Sequence, residues 1–296
     1  MRKVLVTGAT GTVGSNLLAA LSRQGPRVRA MIHQPDHAAR TVGPGVELIT
    51  ADFADRASIR AALVDVEAVF LSCGNVPDQV AYECAVIDEA ARSGVRRIVK
   101  LSARGAEIGS PVAYWDWHGL IERHLRMSGI PSVVLQPSFL MTNLLAAAAQ
   151  VTQHGMLFAP AGNARIAMID PADVAAVAAI ALTADDHLGR TYVLTGPAAI
   201  SYQQVAFDLS SATGRQIGYV DIPAETATTA LLETGLPSFA ARQVVAVFGE
   251  LRAGVQADVT GAVELVTGRP ARPFAMFARD YAAAFSDRAA GDAVSA

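Results

Sequence analysis

Residues 3–14 read KVLVTGATGTVG, a short apolar run that opens directly into a turn with Gly8, Gly11 and Gly14 spaced three apart. Val4, Leu5 and Val6 are β-formers without alternation, as in a strand buried on both faces of a parallel sheet. Around Gly14 the period changes: Val13, Leu17, Leu18 and Leu21 recur at the spacing of a packed helix face. A strand, a glycine turn and a helix N-terminus together leave backbone N–H groups at the positive end of a helix dipole, a seat for a pyrophosphate. In that reading Gly8 permits the tight turn, Gly11 lets phosphates approach the backbone, and Gly14 lets the helix pack close to the strand. Thr10 and Thr12 add hydroxyl donors, and Val13 completes the set of candidate dinucleotide contacts. The spacing is GxxGxxG, a variant of the GxGxxG dinucleotide pattern, and no Lys-Ser or Lys-Thr follows, which argues against a P-loop triphosphatase. The plain alternative is an ordinary tight turn in an α/β protein.

RVRAMI (27–32) and VELIT (46–50) read as the second and third strands, VEAVFLS (66–72) as a fourth, RRIVKLS (96–102) as a fifth and SVVLQPS (132–138) as a sixth. Helical spacing appears around Ile59 and Leu63, and over 79–93 with Val80, Cys84, Ile87 and Ala91 on one face. It appears again from about Ala113 to Ser128, where Gly129 stops the helix. The alternation predicts an α/β protein, a Rossmann-like doubly wound parallel sheet. From 139 to 165 the rhythm loosens into loop and helix rich in Met, Ala and Gly. A helix returns over 171–183, TYVLTG (191–196) reads as a late strand, and 201–256 reads mainly as helices broken by Pro223 and Pro237. The tail, 288–296, is expected to fray.

The chain has 296 residues, 52% hydrophobic and 17% charged, enough for a large core. With 24 Lys plus Arg against 27 Asp plus Glu, the net charge of -3 implies no polyelectrolyte partner, so no nucleic acid is expected. Cys73 and Cys84 are the only cysteines, which fits a reducing compartment. The first strand begins at once, leaving no room for a signal peptide, and the apolar stretches at 139–151 and 174–182 are interrupted or too short to span a bilayer. A cytoplasmic protein without a membrane partner is the expectation, as a monomer or homodimer. The acids suggest no metal cage.

Ligands of such sheets lie beyond the carboxyl ends of the strands. That rule selects the glycine turn, His33, Asp52 and Phe53, Ser72, Cys73, Gly74 and Asn75, Ser102 to Gly105, and Pro137 to Asn143, which includes Phe139. The second strand ends in Met31, Ile32 and His33, without the acid that binds the adenosine ribose in ordinary NAD sites. A 2′-phosphate is not repelled there, and Arg29, His33 and His37 offer positive charge, so NADP(H) is the expected cofactor and NAD the alternative. Asp52 and Phe53 could frame the adenine, although Phe53 also suits a core.

The segment SPVAYWDWHGLIERHLRMSGI (110–130) concentrates ionisable groups. On a helix Tyr114, His118 and Glu122 are four apart and share a face, so a carboxylate could hold the imidazole in one tautomer beneath a phenol. His118 is the candidate proton donor or nicotinamide-ribose ligand, with Tyr114 beside it; a buried structural histidine is the bland alternative. Ser102 is placed to bind cofactor or polarise a carbonyl. Lys100, inside the fifth strand, faces neighbouring helices or the sheet edge and receives no catalytic role. Phe139, Met141, Asn143, Met156, Phe158 and Met168 suggest an adaptable apolar pocket, or core.

VTGATGTVG (6–14), IHQPDHA (32–38), ADFAD (51–55), VKLSARGA (99–106), HGLIERHLRMSGI (118–130) and LQPSFLMTNLL (135–145) together resemble the NmrA-like group of atypical short-chain dehydrogenases/reductases. That group includes quinone and triphenylmethane dye reductases, isoflavone reductase relatives, and the redox-sensing regulator NmrA. The resemblance implies an NAD(P)-binding Rossmann domain over 1–150 with a segment returning at about 165–196. It also implies a smaller, mostly helical substrate domain over 197–287. Members commonly carry Arg at the position of His33 and Lys at that of His37, isoflavone-reductase relatives place a Lys near His118, and Asn143 matches a block lining the nicotinamide end of the pocket. The implied activity is NAD(P)H-dependent hydride transfer to a quinone, enone or other small, hydrophobic, conjugated aromatic substrate. The alternative is an NAD(P)-sensing regulator without turnover.

Overall fold

The computed structural model describes residues 3–22, 25–33 and 45–286. Its strands are β1 (Lys3–Val6), β2 (Arg27–Ile32), β3 (Val46–Thr50), β4 (Ala68–Leu71), β5 (Arg97–Leu101), β6 (Ser132–Pro137), β7 (Met156–Ala159), β8 (Thr191–Leu194) and β9 (Gly218–Asp221). Seven form one sheet in the order β3-β2-β1-β4-β5-β6-β8, parallel at every pairing. This is the doubly wound sheet expected from the rhythm of the sequence. Its order reverses between β1 and β4, and ligands of such sheets bind in the crevice outside the strand ends at that switch point.

β1 and β4 are buried at every position, which is why their sequences do not alternate. The first four helices are α1 (Thr12–Leu21), α2 (Arg56–Ala62), α3 (Gln79–Arg92) and α4 (Ala113–Met127). α1 packs with the helix Pro171–Thr183, whose Val174, Val177, Ala178 and Ala181 are fully buried. α3 and α4 pack together, and their Val86, Ile87, Ile121 and Leu125 join Leu5, Val69 and Ile98 of the sheet in one apolar cluster.

The face of α3 differs from the one read in the sequence. Its buried side includes Gln79, Glu83, Val86 and Ala90, whereas Val80 and Cys84 are half-buried and Ala91 is exposed. The helix turns two polar side chains inward because partners await them there, as described below. β7 and β9, which pair parallel with each other, also escaped the sequence reading, in which 139–165 is loop and helix and 201–256 mainly helical.

The chain forms two compact units, one from Met1–Pro137, Pro171–Leu194 and Ala262–Arg269, the other from Ser138–Asp170, Thr195–Gly261 and Pro270–Ala296. The second unit has its own core, including Leu157, Met168, Tyr202, Leu209, Phe274 and Phe277. Residues near 139 are tied into it: the Phe139 N–H donates to Gln256 Oε1 at 2.6 Å, and its carbonyl accepts from the Ile169 N–H at 3.0 Å. Among the described residues no helix is long and apolar enough to cross a membrane.

Gly14 sets the distance between α1 and the turn before it. A Cβ on Gly14 would stand 2.1 Å from the Gly8 carbonyl oxygen and 3.0 Å from Ala9 Cα, both backbone atoms that cannot swing aside. Gly14→Ala is therefore expected to destabilise the protein by about 1–3 kcal/mol. Gly249→Ala, in the interior of the helix Ser238–Arg252 with nothing within 4 Å of the added atom, is expected to stabilise it by about 0.5–1 kcal/mol. Paired thermal melts check both; equal melting temperatures for wild type and Gly14→Ala would contradict the close approach.

Candidate functional site

The glycine turn is built as an anion seat. Gly8 has φ +59°, a left-handed conformation that glycine adopts without strain, and its carbonyl accepts from the Gly11 N–H at 3.0 Å. Gly11 caps α1 in extended conformation with no side chain to occupy the first N–H groups, and the first turn contains no acid. Nothing on the helix start therefore competes with a phosphate for its N–H donors and dipole. Thr10, Gly11 and Thr12 are exposed, while Val13 and Gly14 are buried, so Val13 offers backbone rather than side chain. Thr7 fastens the turn to the loop after β4: its Oγ1 donates to the Ser72 carbonyl at 2.8 Å and accepts from the Ser72 N–H at 2.8 Å. The residues present fit a bound dinucleotide.

The rim is polar. His33 Nδ1 lies 3.9 Å from Asp52 Oδ2, both side chains well exposed. Asp52 Oδ1 also accepts from the Ala54 N–H at 2.8 Å, and Phe53 stacks on Tyr82 with ring centroids 6.0 Å apart. His37 lies outside the described residues. Ser72 and Cys73 are half-buried, Gly74 and Asn75 exposed; burial pushes the Cys73 thiol up to about 11, which keeps it protonated and unreactive at neutral pH.

α4 is held against the loop after β5 by small residues and by backbone. A Cβ on Gly119 would lie 2.7 Å from Glu107 C and Ile108 N, and the Gly109 N–H donates to Asp116 Oδ1 at 2.7 Å. Tyr114 is half-buried, packs edge-on against Trp117 at 5.4 Å, and burial raises its phenol pKa. Glu122, expected to orient His118, serves other groups: its Oε1 accepts from Ser102 Oγ, and from Gln136 Nε2 at 2.9 Å. Ser102 is buried with its hydroxyl proton committed to that carboxylate. His124 pairs with Asp88 at 2.8 Å on the neighbouring helix.

His118 has a different partner, one that sequence reasoning missed. Lys100 Nζ lies 3.2 Å from His118 Nδ1 and 2.8 Å from Glu83 Oε2, with Lys100 and Glu83 both fully buried. Gln79 Nε2 donates to Glu83 Oε1 at 3.1 Å. Burial, and then the Lys100 charge, hold the His118 imidazole well below its usual range, so it is neutral at pH 7. Burial pushes the Glu83 carboxyl up against the pull of Lys100, Gln79 and the Cys73 N–H. The signal was present: a lysine within an apolar strand, and Gln79 and Glu83 four apart on the helix that would cover it.

Pro137 is the buried end of β6. The pocket candidates beyond it belong to the second unit and are not gathered in one place. Phe139 is half-buried against Phe248 at 6.3 Å; Met141 and Met168 are 1% exposed and border a cavity of about 290 Å³ with Arg165, Gln204 and Phe274. Asn143 is exposed on the 3-10 turn Met141–Ala147. On β7, Met156 is exposed, and Phe158 packs on His154 at 6.3 Å. Among the described residues no group of three His, Cys, Asp or Glu could hold a metal ion.

The model of the NmrA-like family matches residues 1–265. An NAD(P)H azoreductase of Xenophilus azovorans is 36% identical over 282 residues, 95% of this chain and 99% of the relative. A (4-alkanoyl-5-oxo-2,5-dihydrofuran-3-yl)methyl phosphate reductase of Streptomyces griseus is 37% identical over 291 residues, covering 96% and 99%. The solved structure of an NADPH-dependent quinone oxidoreductase from Escherichia coli, complexed with NADPH, aligns with a TM-score of 0.86 at 28% identity over 94% of this chain and 99% of that one. Motif blocks, sheet order and relatives agree: this chain belongs to the NmrA-like family and carries its NAD(P)H-binding oxidoreductase fold.

Proposed function

We propose that this chain is an NADPH-dependent reductase that delivers hydride to a quinone, enone or other conjugated acceptor. The observation that carries the reading is the glycine turn, where a helix start without side-chain cap or acid faces open solvent and backbone contact leaves no room for a side chain at Gly14. The relatives support it, since they are described as reductases of azo, unsaturated furanone and quinone compounds, all conjugated acceptors.

When bound, NADPH supplies the hydride; the chain's contribution is alignment and exclusion of water. The N–H groups of the 8–14 turn hold the pyrophosphate, His33 and Asp52 lie on the adenosine side, and the Ser72–Asn75 loop lines the route toward the nicotinamide. His118 serves as a neutral hydrogen-bond donor to the nicotinamide ribose. An imidazole whose charged form is disfavoured is a poor acid at neutral pH, so the proton that follows hydride comes from Tyr114 or water. Phe139 and Asn143 retain surface to offer an aromatic substrate, whereas Met141 is closed into the core.

Absorbance at 340 nm with NADPH or NADH against a panel of quinones, azo dyes and enones tests the reading. Oxidation of NADPH by at least one class is expected, with NADH the poorer donor. Tight NADPH binding with no turnover on any acceptor would instead favour a sensing protein. His118→Gln is expected to lower kcat/KM by roughly 3- to 10-fold, the range for one neutral hydrogen bond. His33→Asp, which sets a second carboxylate beside the 2′-phosphate, is expected to shift the NADPH-to-NADH ratio of kcat/KM by about tenfold toward NADH.

The neutral state of His118 also has a stability signature. Its folded pKa lies below the unfolded value of about 6.5, so the unfolded chain binds more protons there and stability is lost as the pH falls through that value. Glu83, raised in the folded state, acts with the opposite sign above its unfolded value of about 4.3. Comparing wild type with His118→Gln removes that background. Between pH 7.5 and 5.5 the wild type is expected to lose more stability, by up to about 1.4 kcal/mol per pH unit below 6.5. Parallel denaturant titrations with the same pH dependence would show that the imidazole is not held neutral.

A further inference from the structure

β5 carries a fully buried ammonium, Lys100, whose register neighbours are Leu71 of β4 and Val134 of β6. Lys100 Nζ contacts Glu83 Oε2 at 2.8 Å, His118 Nδ1 at 3.2 Å and the Leu101 carbonyl. An ammonium has protons to donate and no lone pair, so its contact with the ring nitrogen is a donation from Nζ. Nδ1 of His118 is then an acceptor, and the ring proton sits on Nε2. Glu83 is in turn held by Gln79 Nε2 at 3.1 Å and by the Cys73 N–H. The result is a buried column, Gln79–Glu83–Lys100–His118, running from α3 past β5 to α4.

We propose that Lys100 is a positioning residue that fixes His118 as the neutral Nε2–H tautomer, so that the imidazole is a hydrogen-bond donor of one sign across the working pH range. The proposal rests on the reading of His118 as a ribose contact and adds the means by which that donor is kept. A buried ion pair alone is weak grounds for stability, because an apolar pair of similar volume often serves as well. What such a pair could not supply is a proton aimed at the ring nitrogen of the residue that would touch the cofactor.

The surrounding groups leave this assignment intact. On its own helix His118 has Tyr114 one turn before and Glu122 one turn after, and Glu122 is engaged by Ser102 and Gln136. From α3 and the loop after β4, the Cys84 and Cys73 thiols are both pushed up to about 11 by burial and carry no charge at neutral pH. Glu83 balances Lys100 from α3. The charge acting directly on the imidazole is the ammonium.

Long-range proton–nitrogen NMR of the full chain with 15N-histidine, assigned with His118→Gln, reads the tautomer and its titration directly. The expected wild-type result is an unprotonated Nδ1, a protonated Nε2 and no titration between pH 8.5 and 5.5. In E83Q/K100M, which removes both charges together and leaves neither one buried alone, the His118 midpoint is expected to rise by at least one pH unit and the Nε2–H preference to fall. The pH profile of kcat/KM, flat in wild type, is expected to gain an acid limb at the same midpoint. An Nδ1–H tautomer in wild type would overturn the proposal, and would mean that the pair rests as carboxylic acid and amine. So would a wild-type midpoint near 6.5, or an unchanged titration in the variant. If the variant does not fold, the wild-type tautomer and titration decide. The NMR readings need no substrate, so absence of turnover with an Nε2–H ring overturns the reductase reading alone, while turnover with an Nδ1–H ring overturns the role of Lys100 alone.

Discussion

α1 begins so close to the turn it follows that backbone alone fits between them. The Gly8 carbonyl occupies the space a Cβ on Gly14 would take, and Thr7 ties the same turn to the Ser72 backbone across the β1–β4 switch point. Three features then follow from one constraint: the helix dipole is aimed at the turn, the first N–H groups stay free of side chains, and the loops after β1 and β4 form one rigid edge. A pyrophosphate bound this way is held by backbone, which has no rotamers to order and no pKa to titrate. His33 and Asp52, on the exposed rim, can be substituted without disturbing that seat.

The second constraint lies deeper. Lys100 has no access to water, and a charge in that position persists only if paired and fully hydrogen-bonded. Its need for acceptors turns α3 so that Gln79 and Glu83 face inward, and it accounts for the half-exposed Cys84 and exposed Ala91 on a face that would otherwise have been the core side. After burial itself, the Lys100 charge is also what holds His118 neutral. The same ammonium that anchors the helix layer thus adds to burial in keeping the imidazole on the adjacent helix neutral, so packing of this layer and protonation at its edge are coupled.

Much of the fold was legible because short β-forming runs alternate with stretches of helical spacing. β2, β3 and the helix Pro171–Thr183 occur at the boundaries their sequences mark, the last because Asp170-Pro171 is a clear helix start. β7 and β9 were not legible: MLFA and GYVD sit in stretches whose rhythm suggests loop and helix, and their pairing joins residues some sixty apart in the chain. The glycine turn could be read residue by residue because backbone geometry dictates its residue types. The partner of His118 was not read that way: a lysine in an apolar strand signals a buried charge, but helical spacing reveals only neighbours on the same helix, so it does not say which imidazole the lysine meets. Glu122 is the right distance away in sequence, but Ser102 and Gln136 claim it, and the contact that matters comes from a strand.

A backbone seat and a neutral imidazole are both donors of fixed sign, and neither distinguishes one acceptor from another. Relatives that reduce azo, furanone and quinone compounds share this fold, so the fold does not choose the substrate. The choice falls to surfaces outside the cofactor seat. On the proposed reading the half-buried Phe139 and the exposed Asn143 are such surfaces, and neither is needed by the glycine turn or the Lys100 column for its own integrity. Substitutions there can redirect the acceptor at little cost to folding, whereas the same freedom is denied to Gly14 and Lys100. A chain arranged this way keeps hydride delivery constant and leaves its substrate open to change.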